Sequence, residues 1–182
     1  MNVALKEWAV VAEALRLSKQ TCLLRKGGIA EGKHGFELKH DRFWFFPTWE
    51  HQQQDWIRPE FQPLFQSLEP TDPEVITIQH GARVDEVLTA PADINRLLNS
   101  TEHIWAEPYL RMRYDYRPDL PLYLVIVRAF SLREPVAVPN DRRYKGCRSW
   151  VDLYQDVPFD NTVNRTSDAE FQSAKSRLLG SF

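Results

Sequence analysis

The run Leu122-Tyr123-Leu124-Val125-Ile126-Val127 restricts the fold of this chain more than any other feature. It is apolar throughout and rich in β-branched and aromatic residues, so it has no face to give to water and reads as a strand covered on both sides. Residues 121–132 are therefore expected to form the spine of a sheet, with 136–138 extending it beyond Pro135. Everything else must supply neighbours or cover for that spine.

Other segments fit the role of neighbours. Arg42-Phe43-Trp44-Phe45-Phe46 reads as a second strand buried on both faces and stopped by Pro47. Residues 20–25 read as a strand ended by Lys26-Gly27-Gly28, where paired glycines permit a tight turn. Residues 35–40 alternate apolar and polar and predict a strand with one wet face. Residues 75–88 are β-rich, and Gly81 within them predicts a bulge or a close backbone approach. Cover comes from helices. Leu5, Trp8, Ala9, Val11, Ala12 and Leu15 recur at spacings of three and four, which predicts a helix over residues 2–17. Short helical turns are expected within 52–68, around Pro59, and short helices over 91–98 and 108–114, each opening on a proline. Ser167-Asp168-Ala169-Glu170 is a capping box that starts a final helix through Phe171, Ala174, Leu178 and Leu179, ended by Gly180. The strands are separated by irregular excursions and not by regular βαβ units. The expected fold class is therefore α+β, a mostly antiparallel curved sheet or small pseudo-barrel with peripheral helices, in a single domain over residues 1–182.

Composition narrows the function classes. No apolar stretch approaches the ~20 residues of a membrane span, and no apolar run of about 7 to 15 residues follows Met1 as a secretory signal would require. A cytoplasmic location without membrane contact is expected, and with it reduced thiols at Cys22 and Cys147. The net charge of −2 excludes a global field that would hold a polyanion, so any contact with nucleic acid must be local. Six Trp, six Tyr and ten Phe are an unusual load that supplies much of the apolar area, and some of these rings are candidates for a binding surface.

Several short motifs carry possible chemistry. Gly27-Gly28-Ile29-Ala30-Glu31-Gly32-Lys33-His34 approaches a phosphate-binding loop. It has His34 where that loop needs a hydroxyl for Mg²⁺, however, and strand where it needs helix, so a hairpin turn is the better reading. Glu37-Leu38-Lys39 has the acid-x-Lys spacing of metal-dependent nucleases, and Glu50-His51 could act as an acid/base pair. The five histidines, at 34, 40, 51, 80 and 103, share no ligand spacing with one another or with the cysteines, so no metal and no cofactor is expected. Two segments combine guanidinium forks with rings. They are Tyr109-Leu110-Arg111-Met112-Arg113-Tyr114-Asp115-Tyr116-Arg117 and Arg142-Arg143-Tyr144-Lys145-Gly146-Cys147-Arg148-Ser149-Trp150. Together with Arg25-Lys26-Gly27, they form one anion- or base-binding face if the fold brings them together. If it does not, their arginines are a solvated surface paired with Asp115, Asp119, Asp141 and Asp152.

Four phrases are more specific: Ala4-Leu5-Lys6-Glu7-Trp8-Ala9, Leu23-Leu24-Arg25-Lys26-Gly27-Gly28-Ile29, Phe46-Pro47-Thr48-Trp49-Glu50-His51-Gln52 and Tyr144-Lys145-Gly146-Cys147-Arg148-Ser149-Trp150-Val151. On these the chain resembles an uncharacterised bacterial family known only as a domain of unknown function, DUF1802. That resemblance implies an association with restriction and defence against foreign DNA. The order of three strand segments, 41–48, 78–88 and 121–135 with its Val127-Arg128 step, is similar to that of PUA-like domains of the EVE and ASCH types, which implies a pocket for RNA or a modified base. The expected function is a non-catalytic binding domain for nucleic acid or a modified nucleotide. The candidate ligand-binding residues are Arg25, Lys26, Gly27, Phe46, Thr48, Trp49, His51, Tyr109, Arg113, Arg148 and Trp150. The alternatives are a metal-dependent nuclease or hydrolase using Glu37, Lys39, Glu50 and His51, and a protein-interaction module whose exposed rings meet a protein partner.

Overall fold

The computed structural model describes residues 1–26, 36–68 and 74–180. The apolar run around Leu124 does form the spine. It lies in β5 (Tyr123–Pro139), which pairs antiparallel along its length with β4 (Val75–Thr89). Around this hairpin-like pair the order is β2 (Cys22–Arg25), β5, β4, β3 (Arg42–Thr48), β1 (Val3–Trp8) and β6 (Trp150–Asp152), and β7 (Thr162–Asn164) adds to β5. All these pairings are antiparallel except β1 with β3. The sheet is a strongly curled half-barrel with helices at its periphery, the expected α+β class. Its long strands bend where their register shifts, between Ile78 and His80 and between Val84 and Glu86.

Both faces of the sheet are buried, and the alternation along β3 shows how. Phe43 and Phe45 enter one apolar cluster with Leu24, Val125 and Leu15, whereas Trp44 and Phe46 enter another with Ile78, Phe130 and Val138. Gly81 is a point of close approach, as expected. It sits opposite Trp44 on one side and Phe130 on the other, and the Phe130 ring occupies the space a Cβ would fill. The register shifts fall on either side of it and not at the glycine itself.

Four expectations are corrected. Residues 2–17 are not one helix: the first half is β1, and α1 occupies only Ala9–Arg16. Leu5 and Trp8 fit a helical stripe equally well, but pairing of residues 4–8 with Trp44-Phe45-Phe46-Pro47-Thr48 gives this stretch a ladder that local pattern cannot reveal. Pro47 does not stop β3. The strand pairs with β4 only over residues 42–44, so at Pro47 it has a single neighbour, a position where a missing N–H is tolerated. Residues 36–40 form no strand; Phe36 instead turns into the core against Trp150, and the Glu37 carbonyl accepts a bond from the Trp150 indole. The helix expected over 91–98 is the shorter α3 (Asn95–Asn99).

The remaining helical elements follow the sequence closely. Residues 52–68 contain 3₁₀ turns at Gln54–Trp56 and Pro59–Phe61 and then α2 (Gln62–Gln66). α4 spans Glu107–Asp115 and α5 spans Asp168–Gly180. The Ser167 capping box is formed in both directions: the Ser167 amide donates to Glu170 at 2.8 Å, and the Glu170 amide donates to the Ser167 hydroxyl at 3.3 Å. No helix among the described residues is long and apolar enough to cross a membrane.

Candidate nucleotide-binding cleft

A cleft of about 480 Å³ opens where β1 passes into α1, and six stretches of the chain, the 3₁₀ turn carrying Trp56 among them, supply its walls. The β1 end contributes Lys6, Glu7 and Trp8, β2 contributes Arg25, and the end of β3 with the turn after it contributes Thr48, Glu50 and His51. α4 and its exit add Tyr109, Met112, Arg113 and Tyr116, and the segment before β6 adds Gly146, Cys147 and Arg148.

One wall is a packed group of rings. Trp56 reaches it because the 3₁₀ turns are tied to the entry of α4: the Arg58 amide donates to the Ile104 carbonyl at 2.9 Å, and the Ala106 amide to the Trp56 carbonyl at 2.9 Å. Trp8 then stacks on Trp56 with centroids 5.6 Å apart, and Tyr109 packs at 5.0 Å from Trp8 and 5.7 Å from Trp56. Rings in mutual contact leave no slot for another ring between them. They form a platform on which a base can stack from one side only.

The opposing groups are cationic. Arg25 Nη2 donates to the Glu7 carboxylate at 2.7 Å and to the Lys6 carbonyl at 2.8 Å, which holds its fork against the end of β1. Its Nε is buried and has no partner among the described residues, and the same is true of Arg113 Nε. The Arg113 guanidinium lies 6.0 Å from the Tyr116 ring centroid, and the exposed Arg148 guanidinium has no ion-pair partner among the described residues. Lys6 Nζ donates to the Gly146 carbonyl at 3.0 Å and to the Tyr144 carbonyl, which pins the segment carrying Arg148 beside β1. Burial, more than the opposing pull of Glu50, keeps its ammonium below the usual lysine range. Gly146 has φ of +99°, the conformation that lets the chain turn Cys147 and Arg148 toward the cleft. His51, at φ +63°, sits exposed on the rim beside Glu50.

The structure thus gathers Arg25, Thr48, His51, Tyr109, Arg113 and Arg148 around one cleft. Phe46 and Trp49 line an adjoining cavity of about 250 Å³. Lys26 faces elsewhere: its buried ammonium donates to the carbonyls of Arg113 at 3.2 Å and Tyr114 at 2.7 Å, at the C-terminal end of α4. It therefore fixes the helix that presents Arg113. Trp150 packs among Phe36, His40 and Phe43. Gly27, with the phosphate-loop-like run through His34, lies outside the described residues. Of the nuclease candidates, Glu50 and His51 line the cleft, whereas Glu37 and Lys39 do not, and no group of three potential ligands for a metal occurs among the described residues.

The alternative fate foreseen for the arginines holds for Arg143, and other arginines pair with acids the sequence reading did not name. Arg143 is paired with Asp141 at 2.7 Å and lies 3.3 Å from the Tyr154 ring centroid, and Arg111 is paired with Glu107 on the surface of α4. Arg128, the strand arginine of the Val-Arg step, donates to the Thr166 carbonyl at 3.0 Å and pairs with Asp168, so it docks α5. Sequence reasoning missed Trp8, Trp56, Lys6 and Glu7 as cleft residues. Trp56 had a signal, a large ring in an otherwise polar stretch, but Trp8 was indistinguishable from a core position of a helix.

The solved structures similar to this chain share little of its sequence. The crystal structure of ASCH from Zymomonas mobilis is 14% identical, with 96% of this chain and 93% of that one covered and a TM-score of 0.45. Two mutants of the same protein give TM-scores of 0.46 at 13% and 14% identity, again with 96% of this chain covered and with 94% and 96% of theirs. No curated protein matches the chain. The profile of one family matches residues 4–177, so it spans β1, every wall of the cleft and most of α5, and the chain belongs to that family, the Domain of unknown function DUF1802.

Proposed function

We propose that this protein binds nucleic acid or a modified nucleotide in the cleft beside Trp8, without catalysing a reaction there. The observation that carries the reading is the pairing of a one-sided ring platform with the Arg113 and Arg148 guanidiniums in the same cleft. A nucleotide matches both halves. Its base stacks on Trp8 or Trp56, worth about 1 to 3 kcal/mol per base, and its phosphate accepts from Arg113 and Arg148. The net charge of −2 makes this a local attraction, with affinity depending on stacking as much as on charge. The placement of Glu37 and Lys39 away from Glu50 and His51 supports binding over metal-dependent cleavage.

The test is titration of short single-stranded RNA and DNA, plain and base-modified, followed by tryptophan fluorescence over a series of salt concentrations. Two cleft arginines free to meet phosphate predict a log–log salt slope of about −1.4, and Arg148→Ala should reduce its magnitude by about 0.7. Absence of binding at about 50 mM salt, where such contacts are strong, would remove the proposal. An affinity indifferent to salt and to Arg148→Ala would do the same.

A further inference from the structure

The adjoining cavity shares three wall residues with the cleft, Lys6, Thr48 and Glu50. At about 250 Å³ it falls below the roughly 300–1,000 Å³ of a self-standing ligand site, whereas the cleft at about 480 Å³ lies within that range. It has the makings of an extension. Phe46 and Trp49 give it ring walls, and Asn140 gives it an amide. The Trp49 indole donates to the Leu68 carbonyl at 2.8 Å, and the Phe46 ring packs against Tyr144 at 5.1 Å, so both rings are held in place without a ligand.

The group between the two spaces decides what could occupy both. Lys6 Nζ, 5.8 Å from the Phe46 ring centroid, spends two of its three donors on the Tyr144 and Gly146 carbonyls, and one N–H remains for a ligand at the junction. Arg148 stands close enough to act on it electrostatically from the cleft side, and Glu50 from the rim. Rings on either side of a fixed cation repeat the order base, phosphate, base. A cation alone would suit many anions, and a ring pocket many apolar groups; the alternation suits a linked pair of nucleotides.

We infer that the ligand is a single-stranded polynucleotide, with one base on the Trp8 platform, the next in the Phe46 and Trp49 cavity, and the linking phosphate at Lys6. This rests on the nucleotide-binding reading of the main cleft and adds to it a second subsite and a minimum length. The Glu50 carboxylate, which repels phosphate, then has a use as the acceptor for a sugar hydroxyl. RNA and DNA share the base–phosphate–base order, and the sugar distinguishes them.

The experiment compares a 5′-mononucleotide with its ribo- and deoxyribo-dinucleotides and tetranucleotides on the full chain, by calorimetry at low salt. One added stacked base predicts a dinucleotide about tenfold tighter than the mononucleotide, with little further gain in the tetranucleotide. Trp49→Ala should remove that advantage and leave mononucleotide affinity unchanged. Lys145→Glu, at an exposed rim position of the second cavity whose change does not threaten folding, should lower dinucleotide affinity alone. An advantage shared by both sugars supports the inference, and one confined to a single sugar supports it and identifies the polymer. Equal affinity for mono- and dinucleotide overturns the second subsite while the main cleft stands, as does a dinucleotide advantage that survives both substitutions. If neither length binds, the nucleotide reading of the main cleft fails, and this inference with it.

Discussion

Gly81→Ala is the substitution that tests the packing of the half-barrel most directly. A Cβ at Gly81 would lie 2.5 Å from the Phe43 carbonyl oxygen and 2.5 and 2.6 Å from two atoms of the Phe130 ring. Phe130 lies across the glycine to meet Trp44 edge to face at 5.2 Å and 78°, so residues on strands two apart touch over β4 only because it carries no side chain there. Overpacking of this kind costs about 1 to 3 kcal/mol. The upper part of that range applies, because one clash is with the backbone of the neighbouring strand and the other with a ring that is 3% exposed. Lower entropy in the unfolded chain offsets about 0.4 to 1 kcal/mol. The net loss is about 2 kcal/mol, or about 4 to 8 °C in Tm for a chain of this length. Urea denaturation of Gly81→Ala beside Gly180→Ala, where nothing lies within 4 Å of the added atom, measures it. A loss under about 0.5 kcal/mol at Gly81, no larger than an ordinary surface change, would refute the claim that its missing side chain is what lets β3 and β5 meet.

Two further predictions concern titration and thiol chemistry. Burial of Glu13 opposes its ionisation, but hydrogen bonds with His80 and Arg16 outweigh burial and bring its pKa from 4.5 to about 2. A carboxyl with a depressed folded pKa contributes stability that is present above pH 4.5 and fades as pH falls toward 2; denaturation midpoints across that window should flatten in Glu13→Gln, and an unchanged slope would contradict the assignment. Cys147 is exposed at the cleft, whereas Cys22 is fully buried and burial pushes its thiol up, so a thiol reagent should modify Cys147 in the native protein and Cys22 only on unfolding. A bound oligonucleotide should slow the Cys147 reaction, and equal native rates at the two thiols would count against the described burial.

What the sequence made legible was whatever is decided by neighbours along the chain. The β5 run could only be a buried strand, Ser167 and Glu170 fix a helix start by bonding to each other's amides, and the mixed rings and guanidiniums of residues 109–117 and 142–150 announced two walls of the cleft. What stayed illegible depends on partners far away in sequence. Gln20, for instance, is buried because its amide oxygen accepts from the Ile104 amide at 3.0 Å, a bond between segments 84 residues apart.

The misreading of residues 2–8 as helix has the largest functional consequence. On a helix, Lys6 and Glu7 are neighbours on an outer surface, and nothing distinguishes them from a solvated charged pair. On a strand, consecutive side chains leave opposite faces. Lys6 goes to the Tyr144 and Gly146 carbonyls and holds the Arg148 segment, while Glu7 goes to Arg25 and holds β2. Pairing of β1 with β3 sets this up, because Lys6 stands beside Phe46 and Trp8 beside Thr48 in that ladder. The cation at the junction of the two cavities and the first ring of the platform are therefore placed by one parallel pairing of five residues, and that pairing, more than the basic segments that drew attention in the sequence, determines whether the cleft exists.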